Sequence, residues 1–418
     1  MGKRTITVFE HEVLRTTGEE PERLSAPELE ALQLHSGENG VPYYSLIHKG
    51  IKFNSHVGVI QVGKLTIEVL PKIDRGSKEE WNKILIDMLR RVGSFDVVPT
   101  SETSLKVKKN SILELYMESF LNHAEQLLHR GLIKQYRKTE TNSTTLKGKL
   151  LFQKHITHNL VHHERFFVRY TTYDTSHLLN QLLYKTLHLI RKVNTNAHLS
   201  GRVNSLIINF PELPDLRVEE LTFDNIAYNR KNEPYRQAML ISRLLLLNYF
   251  PDINSGRNYV MAIMFDMNLL WERFVYLSLK KHLNDATVDP QSNKPYWKLS
   301  NNRVVNLQPD VIIHKNGTKF VLDTKWKMPD NNRPSHSDLQ QMYAYSKYFQ
   351  SSHTILCYPG KREEFVNGYF HDELTGQTGA YRCSVIRLHF DIEAYPKENF
   401  MSHWQQDISE KINGYCSV

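Results

Sequence analysis

The chain has 418 residues, 40% of them hydrophobic and 11% aromatic, which is enough for two or three domains with apolar cores. Its formal net charge of +8 favours a polyanionic partner but also suits a mildly basic enzyme, and the spread of the basic residues argues against a protein that only binds DNA. Three widely spaced cysteines and short apolar runs argue against a disulfide framework, a structural zinc site and a membrane span, so we expect a cytoplasmic protein.

The first region, residues 1–76, is predicted to be a β-rich domain. Residues 57–62 and 65–70 are β-rich runs on either side of Gly63-Lys64, which predicts a hairpin. The segment from Gly58 to Leu65 nearly fits a phosphate-binding loop. However, it lacks the Ser or Thr that binds Mg²⁺ and has no obvious helix after it. We therefore expect that this chain does not bind GTP by itself.

The second region, residues 77–255, is predicted to be mixed and mainly helical. The predicted helices cover residues 81–92, 111–131, about 177–195 and about 235–249, and Gly131 is the expected stop of the second helix. A cluster of histidines lies between them, formed by His155, His158, His162 and His163. A zinc site is one interpretation, but no Cys or acid completes a ligand set, and solvated or phosphate-facing histidines are favoured.

The third region, residues 256–418, begins with apolar residues at three- and four-residue steps, which predict a long helix over residues 259–283. Glu272 lies within this helix and has two interpretations. It is either an additional metal ligand, acting directly or through water, or a surface acid paired with Arg273 or a lysine. The spacing alone favours the surface acid.

A hairpin in the same region brings two acids together. Asn316-Gly317 predicts a type I′ turn, because both residues tolerate positive φ. Pairing outward from that turn sets Asp310 directly opposite Asp323, on one face of the hairpin. Lys325 lies two residues further on and returns to that face.

A helix is predicted to start near Asp338, and it carries Gln341 and Tyr345 on the face of Asp338 at steps of three and seven residues. Gln341 is a candidate to fix a water or a phosphate oxygen. Tyr345 is a candidate to stack on a nucleic acid or to donate a hydrogen bond to its backbone.

The paired acids suggest a chemistry. Two like charges this close repel, and Mg²⁺, with Mn²⁺ as a substitute, resolves the conflict because it is commonly held by one or two carboxylates, water and phosphate. A neighbouring lysine can orient water or offset charge on a reacting phosphate. Metal-assisted phosphodiester hydrolysis fits best, and amphipathic strands with solvated acids are the alternative.

The motifs together resemble a known family. Pro309-Asp310, Asp323-Thr324-Lys325 and Gln341 to Tyr345 resemble the PD-(D/E)xK nuclease core with the QxxxY element of its RecB-like branch. Within that group, the McrC family of McrBC-type restriction systems is the best match. Further likeness to that family lies in residues 67–73, 146–150, 173–175 and 265–275, where Trp271 replaces the more usual Phe.

This resemblance implies an α/β fold of mixed α+β type, with a mixed sheet flanked by helices in the nuclease core. The N-terminal part would form a β-containing and helical platform that docks a hexameric AAA+ NTPase, McrB-like and driven by GTP. The substrate would be double-stranded DNA, often methylated. By position, Asp310 and Asp323 would hold the metal, with Glu272 as an accessory ligand, Lys325 would be the catalytic lysine, and Gln341 and Tyr345 would be the QxxxY pair.

Two other functions stay open at this point. One is a stand-alone RecB-like repair nuclease. The other is a non-catalytic stimulator of the motor subunit, against which the intact Asp310, Asp323 and Lys325 argue.

Overall fold

The computed structural model describes residues 4–18, 22–71, 78–92, 112–250, 259–298, 303–327, 333–360, 363–372, 375–389 and 400–416. Helices and mixed sheets alternate along the chain, which confirms the predicted mixed α/β class. The chain divides into two compact units. The described part of the middle unit comprises residues 61–64, 112–250 and 259–263. That of the composite unit comprises residues 4–18, 22–60, 65–71, 78–92 and the described residues from 264 to 416.

This division cuts across the three consecutive regions expected from the sequence. The strands before residue 71 group with the C-terminal half of the chain, although almost two hundred residues separate them along the sequence. Grouping of this kind depends on contacts between residues far apart in the sequence. Changes of composition along the chain do not predict such contacts.

The N-terminal part of the composite unit is more helical than predicted. Its elements are β1 (Arg4–Phe9), β2 (Val13–Arg15), α1 (Ala26–Ser36), β3 (Tyr44–Ile47), β4 (Gly50–Phe53), β5 (His56–Val62), β6 (Leu65–Leu70) and α2 (Lys78–Arg91). The β5–β6 hairpin around Gly63 is confirmed, and β1 pairs in parallel with β6. Helix α1 was not predicted. Glu28 accepts a hydrogen bond from the Ser25 nitrogen, and this capping arrangement has a recognisable sequence pattern.

The middle unit holds three of the predicted helices. Its elements are α3 (Ile112–Arg130), β7 (Gln135–Ser143), β8 (Lys149–Leu150), α4 (Phe152–Asn159), β9 (Phe166–Asp174), α5 (Leu178–Val193), α6 (Ala197–Asn209), α7 (Glu220–Asp224), a 3₁₀ turn (Glu233–Tyr235), α8 (Arg236–Leu247), β10 (Tyr249–Phe250) and the start of β11 (Val260–Asp266). Gly131 follows α3 with φ +87°, as expected for a helix stop. The predicted chain break at 251–257 and the helix start at 111 lie outside the described residues.

The histidine cluster does not form a metal site in the structure. Helix α4 ends at Asn159, so only His155 and His158 share a helix. Nowhere in the described ranges do three His, Cys, Asp or Glu side chains come together in a way that could hold a metal ion. The favoured interpretation, solvated or phosphate-facing histidines, stays a prediction.

The C-terminal part of the composite unit contains the largest sheet. Its elements are α9 (Met267–His282), β12 (Thr287–Pro290), β13 (Lys294–Lys298), β14 (Val304–Leu307), β15 (Val311–Lys315), β16 (Thr318–Thr324), α10 (His336–Phe349), β17 (His353–Gly360), β18 (Glu364–Val366), β19 (Tyr369–His371), β20 (Thr378–His389) and α11 (Phe400–Tyr415). The strand order is β12-β15-β16-β17-β20-β18, with β19 also paired to β20. Strands β15 and β16 are antiparallel, whereas β16–β17 and β17–β20 are parallel.

Helix α10 lies against one face of this sheet. Met342 and Phe349 from the helix pack with Ile312, Val321 and Leu356 from the strands, and all five are buried. The apolar face of α10 thereby fixes the position of the polar residues that the helix carries.

One predicted helix is wrong at its start. Residues 260–266 form strand β11 rather than the first turns of a helix over 259–283. The first four residues of β11 are all buried, and a continuous apolar run of that kind suits a buried strand as well as a helix. The helix itself begins at Met267, after Asp266 accepts a hydrogen bond from the Asn268 nitrogen as its cap.

The three cysteines, Cys357, Cys383 and Cys416, are free and buried. No helix within the described ranges combines the length and the apolar character needed to cross a membrane.

Candidate active site

The hairpin register is the one that the sequence predicted. Lys315 pairs with Thr318, and the pairing continues outward to Val311 with Leu322. Asn316 has φ +50° and Gly317 has φ +76°, as a type I′ turn requires. The next position outward on this register sets Asp310, just before β15, opposite Asp323 in β16.

Asp310 is anchored by the partner strand. Its Oδ2 accepts a hydrogen bond from the Thr324 nitrogen at 2.6 Å and another from Thr324 Oγ1 at 2.8 Å. Both donors belong to Thr324, the residue directly after Asp323. The strand that carries Asp323 therefore also holds the Asp310 carboxylate.

Asp323 is almost fully buried, with 1% of its surface exposed. Its Oδ1 accepts a long hydrogen bond from Gln341 Nε2 at 3.4 Å. Its Oδ2 lies 2.7 Å from Lys325 Nζ as an ion pair but lacks the angles of a formed hydrogen bond. A carboxylate oxygen has two lone pairs, so Oδ2 keeps an open acceptor position beside this ion pair.

The electrostatics of the pair favour a bound cation. The pKa of Asp323 is raised to about 7 because burial and, second, the charge of Asp310 disfavour its ionised form, while Lys325 opposes both effects. Burial also raises the pKa of Asp310, against the hydrogen bonds from Thr324. Each acid is therefore costly to ionise in the metal-free protein, and a divalent cation would remove that cost.

Lys325 remains a cation at this site. Burial disfavours its charge, yet the carboxylates of Asp323 and Asp310 keep its pKa above the ordinary value. Its backbone nitrogen donates to the Cys357 carbonyl at 2.9 Å, so the backbone at Lys325 is tied to the neighbouring parallel strand. About a quarter of the side chain is exposed, which leaves the ammonium accessible to a substrate.

Glu272 reaches the site from helix α9. Gln291 Nε2 donates to its Oε1 at 2.6 Å, and the Gln291 nitrogen donates to the Asp310 carbonyl at 3.2 Å. Burial raises the pKa of Glu272, and the charge of Asp310 adds to this effect. Its side chain accepts this hydrogen bond from Gln291, so the expected pairing with Arg273 is not the contact that the structure gives Glu272. No pattern in the sequence marks Gln291 as the bridge.

Gln341 and Tyr345 form a support beneath the acids. Gln341 Nε2 donates to Tyr345 Oη at 2.7 Å, and Tyr345 Oη donates to the Gln308 carbonyl at 2.9 Å. Tyr345 is 2% exposed, so the expectation that it stacks on a nucleic acid or donates to its backbone is wrong. The pair positions Asp323 and the segment that leads into Asp310.

Asp338 shares the helix but has other partners. Its Oδ2 lies 2.7 Å from Lys327 Nζ and accepts a hydrogen bond from Tyr358 Oη at 3.0 Å. Although burial opposes ionisation, these contacts and Ser335 lower the pKa of Asp338. It is therefore a paired, ionised acid beside the site.

The donor set fits a hard divalent cation. Mg²⁺ binds through one or two carboxylates and completes its shell with water and phosphate, which Asp310 and Asp323 can accommodate. Because no three acidic, histidine or cysteine side chains in the described ranges converge on one point, Glu272 fits as a ligand through water. The unused capacity of the buried Asp323 Oδ2 is the specific feature that supports this fit.

A mixed sheet whose hairpin brings together the buried Asp323, the half-buried Asp310 and Lys325 defines the chain as an α/β protein with an acid-lysine cluster. The sequence profile of the family described as McrBC 5-methylcytosine restriction system component matches residues 51–359. The chain belongs to this McrBC family.

Relatives in sequence and structure agree with this assignment. The chain is 21% identical over 232 residues to the type IV methyl-directed restriction enzyme EcoKMcrBC of Escherichia coli strain K12, covering 52% of this chain and 65% of that protein. A structure of Thermococcus gammatolerans McrB AAA+ hexamers with bound McrC superposes with a TM-score of 0.68 at 19% identity, covering 98% of this chain and 100% of the other. The T. gammatolerans McrBC complex gives 0.50 at 19% identity, with 71% and 92% covered. At this identity the likeness concerns the fold.

Proposed function

We propose that this chain is the DNA-cleaving subunit of a McrBC-type restriction complex and hydrolyses phosphodiester bonds with Mg²⁺ or Mn²⁺. The observation that carries the proposal is the hairpin register. It brings Asp310 and Asp323 to facing positions with the Lys325 ammonium 2.7 Å from the second acid. Membership of the McrBC family supplies the system in which such a site would act.

The division of labour among the residues follows from their contacts. Asp310 and Asp323 would bind the cation, with Glu272 acting through water, and the cation would polarise the scissile phosphate. Lys325 would orient the attacking water or offset the charge that grows on the phosphate. Gln341 and Tyr345 would hold Asp323 and the entry to Asp310 in place, and they do not touch the substrate.

The fold around the site supports a PD-(D/E)xK nuclease core. The acids lie on antiparallel β15 and β16, the next strand β17 is parallel, and α10 covers the sheet with the Gln341–Tyr345 pair facing the acids. This arrangement matches the order of motifs in the sequence.

A motor partner forms part of the proposal. The solved relative pairs McrC with McrB AAA+ hexamers, and we infer a comparable GTP-hydrolysing hexamer as the partner of this chain in the cytoplasm. The middle unit, with its long helices α3, α5 and α8, would serve as the docking platform. Residues 58–65 lie in the β5–β6 hairpin, so the energy would come from the partner.

The test is a cleavage assay on 5-methylcytosine-containing and unmodified plasmid, with and without the AAA+ subunit, in Mg²⁺ and in EDTA. We expect cutting of modified DNA in the presence of both Mg²⁺ and the partner. Lys325→Ala abolishes cutting, whereas the control Lys327→Ala, whose ammonium pairs with Asp338, retains it within about threefold.

Other outcomes would contradict the proposal. Equal cutting without the motor would favour a stand-alone repair nuclease. Stimulation of GTP hydrolysis with no cutting of any DNA would favour a non-catalytic subunit.

A further inference from the structure

A two-stranded ribbon projects from the chain beside the acids. Strands β13 and β14 pair only with each other among the described residues, outside the seven-stranded sheet. Strand β14 ends at Leu307, three residues before Asp310, and β13 begins three residues after Gln291, the hydrogen-bond partner of Glu272. Both ends of the ribbon are therefore connected to the candidate active site.

The ribbon exposes apolar side chains on both faces. Trp297 is 57% exposed, Tyr296 48%, Val304 47% and Val305 45%. Successive residues of a strand point to opposite faces, so exposure of consecutive residues leaves neither face covered. Two strands alone bury too little surface to be stable without support, and large exposed apolar groups mark a binding surface.

The charge of the ribbon selects the kind of partner. Residues 290–309 contain Lys294, Lys298 and Arg303 and no acidic residue. With 45 acids among 418 residues, a segment of this length would carry about two on average. Basic groups without acids are complementary to the phosphates of a polyanion, and exposed apolar groups are complementary to the thymine methyl groups in the major groove of a duplex.

The base of the ribbon is fixed while its outer part is open. Lys294 Nζ donates to the Tyr348 carbonyl at 2.8 Å, and the Tyr296 ring packs edge-on against Tyr348 at 5.2 Å. Tyr348 belongs to α10, the helix that also supports the acids. Trp297, paired with Val305, and Lys298, paired with Val304, lie beyond these anchors and are exposed.

We propose that the β13–β14 ribbon binds the DNA duplex next to the phosphate that the acids cut. The inference rests on the proposed function and deepens it by assigning a DNA-contact surface. The major groove of B-DNA accepts a two-stranded ribbon. Lys298 contacts a backbone phosphate, and Trp297 with Val305 presents an apolar surface to the groove.

The test measures binding of the full chain to a fluorescein-labelled duplex by anisotropy in EDTA, at several salt concentrations. Lys298→Ala weakens binding and reduces the slope of log K against log salt by about one, as loss of one phosphate contact predicts. Trp297→Ala weakens binding about tenfold, and Trp297→Phe restores most of it. The matched controls Lys281→Ala and Phe365→Ala, exposed in the same unit, stay within about twofold.

Each outcome decides the inference separately from the proposed function. Ribbon variants that keep the thermal midpoint of the wild type and bind the duplex normally overturn it. The inference is also overturned if the ribbon variants bind DNA normally but lose binding to the AAA+ subunit or lose self-association, because the ribbon is then a protein interface. If Asp310→Ala still cuts DNA, the proposed chemistry fails, while the anisotropy result still decides the role of the ribbon.

Discussion

Thr324 donates two hydrogen bonds to a single carboxylate oxygen of Asp310, one from its backbone and one from its hydroxyl. This contact couples the two acids, because Thr324 is the residue that follows Asp323. A bare pair of facing carboxylates would spread apart. Here the strand that carries Asp323 also restrains Asp310, so the two carboxyl groups stay near each other.

The hydroxyl of Thr324 should therefore matter for catalysis. Thr324→Val keeps the shape and the backbone donor but removes the 2.8 Å hydrogen bond. We expect a stability loss of about 1 kcal/mol and a decrease in the single-turnover cleavage rate of about tenfold. Thr318→Val, at the turn end of the same strand, is the matched control and should change the rate less than twofold. Equal rates for Thr324→Val and wild type would mean that this contact does not position Asp310.

The stability of the metal-free protein should depend on pH because of Asp323. Its pKa is about 7 in the folded chain against an ordinary value of 3.8, so the folded state holds a proton that the unfolded state has lost between these values. Stability contributed by the protonated form therefore falls as pH rises from about 4 to about 7. Each unit of difference in pKa is worth about 1.4 kcal/mol.

The measurement is urea unfolding of wild type and Asp323→Asn from pH 4 to pH 8 in EDTA. The stability of the wild type relative to this variant should fall across that range by a few kcal/mol. Asp338→Asn is the control: the pKa of Asp338 is lowered from its ordinary value of 3.8, so its contribution is lost only below this range and the difference from wild type should stay constant from pH 4 to pH 8. A difference between wild type and Asp323→Asn that does not change with pH would contradict the burial argument.

Glu272 should affect the metal requirement more than the folding. Glu272→Gln keeps an acceptor for Gln291 and removes a carboxylate whose own pKa is raised by burial and by the charge of Asp310. We expect the Mg²⁺ concentration for half-maximal cleavage to rise about fivefold, with no loss of metal-free stability. Glu410→Gln, an exposed acid on α11, should leave the Mg²⁺ dependence unchanged. An unchanged Mg²⁺ dependence in Glu272→Gln would remove Glu272 from the site.

The hydroxyl of Tyr345 should be a positioning group. Tyr345→Phe leaves the Gln308 carbonyl and the Gln341 amide without their buried partner, which costs about 1–3 kcal/mol. We expect slower single-turnover cleavage with unchanged DNA affinity in EDTA. Tyr348→Phe, on the exposed face of the same helix, is the control. A loss of DNA affinity in Tyr345→Phe would instead indicate direct contact with the substrate.

The purified chain should hydrolyse little or no GTP. The Gly58–Leu65 segment lies in the β5–β6 hairpin, with β6 rather than a helix after it, and helix N-termini are what position phosphates in phosphate-binding loops. A phosphate-release assay with and without the AAA+ subunit measures this. Robust hydrolysis by the chain alone would contradict the assignment of the motor to a partner.

The site was predictable where it depends on local chemistry. Asn316-Gly317 sets one turn type, and that turn sets the register through to the acids, so the juxtaposition of Asp310 and Asp323 follows from about twenty residues of sequence. Lys325 follows from the period of a strand. The sequence placed Gln341 and Tyr345 on their helix. It did not predict that Tyr345 is buried, because its burial depends on the distant segment that the helix contacts.

Features that depend on distant contacts were not predictable. The bridge from Glu272 through Gln291 to Asp310 joins three elements. Strand β11 has a buried apolar run that looks like a helix, and β7 with β9 pairs polar, partly exposed strands that show no apolar alternation. The grouping of the first seventy residues with the C-terminal half is of the same kind.

The central claim is that Asp310 and Asp323 jointly hold a cation for DNA hydrolysis. The decisive measurement is single-turnover cleavage of modified DNA by the assembled complex in Mg²⁺. It compares wild type with Asp310→Ala, in samples that gel filtration has shown to bind the AAA+ subunit equally. We expect Asp310→Ala to assemble normally and to cut at least about a thousandfold more slowly. Cutting by Asp310→Ala at the rate of the wild type would contradict it.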